Sequence, residues 1–272
     1  MCITKGGELR CVRPDRAGWA LVNLGNPYPI KGVEPVSWQS VDAVKLIRDF
    51  GAPPCWHAAQ LLRVALAHEP DLTELMFAGK AECSALDSAI DLAGLNHRVK
   101  SAESTIRKLA NIVRIFGMNA QEASTKIDDT LRYSVTVENL PLYVPAVERV
   151  SEALMDAGAR VLKAADSFIP GSRFKGLSAH FMFDFGGQID HVFEVQFYHL
   201  EAWEIYTGRH HKLYEIARWH ENPIERRQEA VEEMIRISDT VEIPPGLDRL
   251  RSENGLFRDI GGYKPKSRGH LS

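Results

Sequence analysis

The hydrophobic and polar positions divide the chain into an irregular front, a run of short helices and a region of alternating strands. Residues 1–37 carry Gly6, Gly7, Pro14, Gly18, Gly25, Pro27, Pro29, Gly32 and Pro35. That density of breakers predicts loops, with room for a short hairpin. From Ser40 to Phe50, Val41, Val44 and Ile47 recur at helical spacing. Pro53-Pro54 separates this helix from a second at His57–Ala67, which Pro70 ends, and Leu72–Phe77 reads as a third short piece. Ser84–Leu95 reads as a helix through Leu86, Ala89, Ile90 and Ala93. Ser101 suits an N-cap. The helix after it shows Ile106, Leu109, Ala110, Val113 and Phe116 on one face, and Gly117 stops it.

Beyond that point the period changes. Leu131, Tyr133, Val135 and Val137 alternate with Arg132, Ser134 and Thr136, as in a half-buried strand. A helix at Pro145–Ala157 and a short strand at Arg160–Ala164 follow. Two strong strands, Gly176–Phe185 and Ile189–Tyr198, flank Gly186-Gly187. Helices at about 201–218 and 225–238 complete the pattern, and Pro244-Pro245-Gly246 ends the packed region. The order predicts an α+β fold, a mixed sheet of about four to five strands flanked by helices. The expected organisation is a mainly helical N-terminal segment (residues 1–80), a central domain (81–246) and a basic tail (247–272).

Pattern alone sets the register of the two strong strands. A two-residue loop at Gly186-Gly187 places Glu194 opposite Ala179 and Phe193 opposite His180, mixing polar with apolar on both faces. A three-residue loop, Gly186-Gly187-Gln188, places Glu194 opposite His180, Gln196 opposite Ser178 and Phe193 opposite Phe181. The second keeps one greasy and one polar face, which a buried sheet requires. The polar face reads either as a solvated outer surface or as a cleft floor carrying Glu194 and Gln196.

Composition narrows the classes. The chain has 272 residues, 44% of them hydrophobic, and a net charge of −3, which excludes wholesale disorder and a broad nucleic-acid footprint. No apolar run approaches the roughly 20 residues that cross a bilayer. The first twenty residues lack the apolar core of a Sec signal peptide, so the expectation is a cytoplasmic site of action, with delivery by a specialised secretion system left open. Cys2, Cys11, Cys55 and Cys83 show no CxxC spacing and read as reduced thiols, although Cys11 and Cys55 could pair. His199, His210, His211 and His220 stand among aromatics, a pattern of packing more than of metal binding.

Candidate chemistry lies in the central domain. Arg98, Lys100, Arg107 and Lys108 form a basic group that reads as an exposed helix face or a polyphosphate clamp. Asp128 and Asp129 precede the strand at Leu131, and a carboxylate there facing Glu194 suits Mg²⁺. Neither a GxxxxGK[ST] loop nor the protein-kinase motif set is present. The runs His97-Arg98-Val99-Lys100-Ser101, Ile127-Asp128-Asp129-Thr130-Leu131-Arg132, Arg173-Phe174-Lys175-Gly176, Phe193-Glu194-Val195-Gln196-Phe197 and His211-Lys212-Leu213-Tyr214-Glu215 together resemble the RelA/SpoT synthetase domain over residues 84 to 246.

That resemblance implies a nucleotidyltransferase-like fold. It also implies a pyrophosphokinase that moves the β,γ-pyrophosphate of ATP to the 3′-hydroxyl of a purine nucleotide, making alarmones such as (p)ppGpp or (p)ppApp. It implies that Arg98, Lys100 and Lys108 hold the ATP phosphates and that Asp129, with Asp128 as neighbouring candidate, ligates Mg²⁺. Glu194 would bind Mg²⁺ or take the proton of the attacking hydroxyl, supported by Gln196. Phe174, where the family usually has Tyr, would stack on the acceptor base, and His211 and Tyr214 would line the acceptor side. Arg173-Phe174, Ser178 and the Phe197-Tyr198-His199 run depart from the housekeeping enzymes at positions that touch the acceptor, which leaves guanosine specificity open, while Glu194-Val195-Gln196-Phe197 and His211-Lys212-Leu213-Tyr214-Glu215 resemble the toxin and effector branch more closely. An antitoxin or immunity protein is the partner such a branch implies. Two other readings stand beside this one: pyrophosphorylation of the tRNA 3′ end, and an inactive member that binds nucleotide or protein.

Overall fold

Period-two and period-3.6 stretches alternate along the chain, and a computed structural model describes residues 2–5, 8–15, 18–23, 43–87, 89–185, 191–219 and 222–251. In chain order the elements are strands β1 (Cys2–Lys5), β2 (Glu8–Asp15) and β3 (Gly18–Asn23), helices α1 (Ala43–Phe50) and α2 (Ala52–Glu82), and strand β4 (Ile90–Ala93). Helices α3 (Ala102–Phe116) and α4 (Ala120–Ser124) precede strand β5 (Arg132–Val137), helix α5 (Tyr143–Asp156) and strands β6 (Arg160–Asp166), β7 (Leu177–Phe183) and β8 (His191–His199). Helices α6 (Leu200–Thr207), α7 (Arg209–Arg218), α8 (Ile224–Ser238) and α9 (Leu247–Arg251) follow. Strands β1 to β3 form one antiparallel sheet, where the sequence suggested loops and a hairpin. The other five strands form a sheet in the order β4-β5-β8-β7-β6. With helices flanking it, this is the expected α+β class.

Local chemistry explains most boundaries. Ser101 caps α3 by accepting from the Ser104 amide, and Gly117 ends it in the left-handed region at φ 64°. Asn119 and Glu122 form a reciprocal capping box on α4. Helix α2 is one helix where the sequence suggested two short pieces. Pro53 and Pro54 occupy its first turn, where no amide is needed. Pro70 sits inside it at the loss of one helical hydrogen bond. Leu62, Leu66, Leu72 and Met76, all buried on either side, hold the helix together.

Strand β4 is the clearest departure. Ile90 and Leu92 are buried and Asp91 exposed, and β4 pairs antiparallel with β5 from Ile90↔Val137 to Ala93↔Ser134. The helix expected over Ser84–Leu95 is absent, because four residues of apolar-polar alternation satisfy either period and the open edge of β5 decides. The single helix expected over 201–218 is broken at Gly208, whose φ and ψ are both −91°. A Cβ there would stand 2.8 Å from the Glu204 carbonyl oxygen. Packing also continues past Pro244-Pro245-Gly246: Leu250 of α9 is fully buried, and Arg249 pairs with Glu148.

The chain divides into two units. Unit one holds the described residues up to Leu75 together with Gly94–Tyr133 and Phe183–Glu194; unit two holds Met76–Ala93, Ser134–Met182 and those from Val195 onward. In unit one, Leu46, Cys55, Ala58 and Ile106 form one core cluster, and Leu109, Ala120, Ala123 and Ile127 another. Cys55 is a free buried thiol, so a Cys11–Cys55 bridge is not formed. In unit two, the Tyr143 ring meets Phe168 edge-on at 5.5 Å, and its hydroxyl donates to the Phe197 carbonyl at 2.7 Å.

The expected alternation along the strong strands is present. Ala179, Phe181, Phe193, Val195 and Phe197 are fully buried, while Ser178, Met182, Val192 and Gln196 are partly exposed. His180 and Glu194 are buried as well, so the polar side is not a solvated surface at these two positions. The loop Gly186-Gly187-Gln188 lies outside the described residues. Asp184 and Phe185 belong to neither strand.

Candidate functional site

In unit one the candidate residues are placed by backbone pairing. Gly94, left-handed at φ 61°, opens a 3₁₀ turn over Leu95–His97. The chain then runs extended beside Leu131, with Val99 and Leu131 as bridge partners. The Lys100 amide donates to the Thr130 carbonyl and the Arg132 amide to the Arg98 carbonyl, both at 2.9 Å. The Glu194 amide donates to the Leu131 carbonyl at 2.9 Å. Three backbone segments therefore lie side by side and carry Lys100, Asp129 and Glu194, which are far apart in sequence. Helix α3, started by Ser101, adds Lys108 two turns from its cap.

Asp129 joins the two lysines. Lys100 Nζ is 2.5 Å from Asp129 Oδ2, and Lys108 Nζ is 2.9 Å from Asp129 Oδ1 and 3.4 Å from Asp128 Oδ1. Burial alone would raise the Asp129 pKa, but the two ammonium groups together outweigh it and hold the carboxyl well below the usual range. For Lys108, burial is likewise outweighed by Asp129 and Asp128, and its pKa rises. Lys100 is more deeply buried, and there desolvation dominates and lowers the pKa despite Asp129. The cluster is a pair of ammonium groups held in place by acids, a charge type that also pairs with phosphate oxygens. Arg107 contacts Glu103 and Ser104 on its own helix.

Asp129 Oδ1 is buried, meets Lys108 as an ion pair and receives no well-directed hydrogen bond from the described residues. It retains lone-pair capacity for a hard cation. Among the described residues no three His, Cys, Asp or Glu side chains gather as a preformed cage. Mg²⁺ fits such a place, since it takes one or two protein carboxylates and completes its shell with water and phosphate. The histidine cluster considered from sequence forms no metal group among the described residues, and His220 lies outside them.

Arg98 is placed differently from the lysines. Its side chain is 3% exposed, its Nε lies 2.5 Å from Glu69 Oε1, and its Nη1 donates to the Leu95 carbonyl at 2.6 Å. Glu69, fully buried on α2, carried no signal in the sequence beyond being a carboxylate in an apolar helical stretch.

Unit two carries the aromatic candidates. Phe174 is met edge-on by Tyr206 at 5.5 Å and by His210 and Tyr214 at 6.2 Å. The Arg173 guanidinium lies 5.9 Å from the Phe174 centroid and that of Arg218 lies 5.2 Å from Tyr214, both within cation–π range. Ser238 donates to the Arg173 carbonyl, and Lys175 bridges Asp239 and the Ile169 carbonyl, which fixes the Phe174 backbone. Gln196 accepts from the Tyr198 hydroxyl at 3.3 Å, and Tyr198 stacks on Tyr206. His211 is exposed on α7, whereas its neighbour His210 is buried against Phe174. Helical phase separates adjacent residues by about 100°, which a motif read along the chain does not resolve.

No known family model matches the chain, and no curated protein does. Among solved structures, smu.1046c from Streptococcus mutans aligns at 17% identity over 64% of this chain and 87% of its own, with a TM-score of 0.45. A GTP pyrophosphokinase family protein from Streptococcus pneumoniae aligns at 18% identity over 64% and 83%, TM-score 0.42. Small alarmone synthetase 1 from Bacillus subtilis, bound to its product pppGpp, aligns at 16% identity over 67% and 94%, TM-score 0.44. Among the described residues no helix is long and apolar enough to cross a membrane.

Proposed function

We propose that the protein is a Mg²⁺-dependent pyrophosphokinase that transfers the β,γ-pyrophosphate of ATP to the 3′-hydroxyl of a purine nucleotide. The observation that carries this reading is the Lys100–Asp129–Lys108 junction, with the Glu194 backbone hydrogen-bonded two residues along from Asp129. Two buried or half-buried lysines balanced by acids suit a triphosphate. A buried carboxylate on the neighbouring strand suits a hydroxyl that must lose its proton.

In this reading Lys100 and Lys108 bind the phosphates of ATP. Asp129, with Asp128 beside it and Glu194 as second carboxylate, would hold Mg²⁺, which neutralises phosphate charge when bound. The acceptor's 3′-oxygen forms a bond to the β-phosphorus, and the bond from that phosphorus to the α–β bridging oxygen breaks. AMP leaves with the electron pair, and Glu194 takes the hydroxyl proton. The work of the protein is positioning and charge neutralisation. Phe174 would stack on the acceptor base, Tyr214 and His211 would contact the acceptor, and Gln196 would support Glu194. The family branch that the sequence leans towards makes the physiological role growth inhibition, as a toxin or delivered effector, with a neutralising partner protein.

The test is incubation with ATP labelled at the γ-phosphate, with GDP, ADP, AMP or deacylated tRNA offered separately. Label on a free purine nucleotide, abolished by Glu194→Gln, is the expected result. Label on tRNA alone overturns the acceptor assignment. Label on no acceptor, with Glu194→Gln indistinguishable from the unaltered protein, removes the enzyme reading and leaves nucleotide binding.

A further inference from the structure

Helix α2 reaches the basic segment through a set of buried groups, all within unit one. Glu69 and Thr73 stand four residues apart and so share a helix face. Thr73 donates to Glu69 Oε1 at 2.7 Å and shares a hydrogen bond with the Tyr133 hydroxyl at 2.9 Å. Arg98 donates to the same Glu69 oxygen while its Nη1 closes back on Leu95. Glu69, Thr73 and Tyr133 are at most 1% exposed and Arg98 is 3% exposed. Arg98 lies beside the Val99–Leu131 bridge and Tyr133 is on β5, which follows that bridge directly, so α2 holds both paired segments.

The arrangement is a poor one for stability alone. Burying both charges of an ion pair costs several kcal/mol per ion, and packed apolar residues often do as well or better. Among the described residues Glu69 Oε2 is buried with no hydrogen-bond partner, a further cost. What the pair does provide is geometry. It fixes the guanidinium, and with it the rotation of the extended segment from Arg98 to Lys100. The Arg98 carbonyl and Lys100 amide are the two rungs that set this segment against Thr130–Arg132.

We propose that Glu69 is a positioning residue: through Arg98 it sets the register and twist of the 98–100 segment and so places Lys100 against Asp129. Arg98 acts through its backbone and not on phosphate, and the N-terminal segment is part of the donor site. The link to donor binding rests on the proposed function; the positioning itself does not.

The experiment follows amide exchange in the full chain at Lys100 and Arg132, with the Ser167 amide, which donates to Gly176 in unit two, as reference. Glu69→Gln should speed exchange at Lys100 and Arg132 by about tenfold or more and leave Ser167 unchanged. Unchanged exchange at all three overturns the proposal. Should the single variant unfold, Glu69→Gln/Arg98→Met removes the unpaired buried charge. Lys100 and Arg132 should still exchange faster there, and a return to native protection overturns positioning. A non-hydrolysable ATP analogue should bind the double variant about tenfold more weakly or worse. Equal binding overturns the link to the donor site. Failure of the unaltered protein to bind the analogue removes the proposed function while the exchange result stands or falls by itself.

Discussion

Asp129 is the residue on which the electrostatics of unit one turn. It touches Lys100 and Lys108 at once, and both its oxygens are engaged by cations. Asp129→Asn removes one charge and leaves two ammonium groups facing each other across a shared amide. Loss of the partner of a buried cation costs about 3 kcal/mol, so the denaturation midpoint should drop measurably. Activity should fall by about 10²-fold or more, as when a preorganised charge-stabilising group is lost. An Asp129→Asn protein with native midpoint and native rate would show that neither lysine depends on it. Lys100, Lys108 and Asp129, which the structure brings together, were legible in the sequence because they sit where a cap and a strand start can be recognised. Glu69 and His210 were not readable. Their roles depend on which helix face is buried, and a single buried acid or histidine in an apolar stretch has no pattern of its own.

At the scale of elements, strands β7 and β8 and the segment leading into them depend on a close approach that only glycine allows. A Cβ on Gly176 would stand 2.9 Å from the Phe197 carbonyl oxygen and 3.1 Å from the Tyr198 ring. The first of these is rigid backbone, accepting the Tyr143 hydroxyl on the same oxygen. Gly176→Ala should therefore destabilise by about 1–3 kcal/mol, as overpacking does, and weaken the Phe174 environment two residues away. Thermal unfolding of this variant checks it, and an unchanged midpoint would mean that the strand end yields without cost. The same elements show what the sequence could specify. Ser101, Gly117 and the alternation of β5, β7 and β8 are local signals, and the structure follows them. Strand β4, the continuity of α2 across Pro70 and the break at Gly208 are settled by partners distant in sequence. A free edge on β5, apolar burial on both sides of the proline, and an approach of backbone to Glu204 decide them. Periodicity over four to eight residues contains none of that.

For the molecule as a whole, a net charge of −3 says little about pH response, because the responsive groups are individually buried. Unit one contains such a pair. His68 stacks on Phe185 at 4.0 Å and faces His191 at 5.5 Å, and both imidazoles are buried. Burial, and secondarily the neighbouring His68, lower the His191 pKa to about 4. His68 is lowered as well, again chiefly by burial. The sign follows from proton counting. Below about pH 6.5 the unfolded chain binds a proton at His191, whereas the folded protein refuses it until about pH 4. The unfolded state thus holds more protons across this window, and stability rises with pH within it. Conversely, stability falls as pH drops from about 6.5 and levels off for this group below about 4. At about 1.4 kcal/mol per pH unit for one proton, His191 alone accounts for about 3 kcal/mol over the full window, with His68 adding in the same direction. Asp129 contributes at the lower end, since its depressed pKa gives stability that is present above about pH 4 and is lost on further acidification. The check is chemical denaturation at pH steps from 7.5 to 3.5 for the unaltered protein and for His191→Phe, which keeps an aromatic ring beside His68. The variant should lose about one proton's worth of slope between pH 6.5 and 4 and keep the fall that Asp129 contributes below pH 4. Parallel curves for the two proteins would mean that His191 takes up its proton in the folded state as readily as in the unfolded one, and that the stacked imidazoles are open to water.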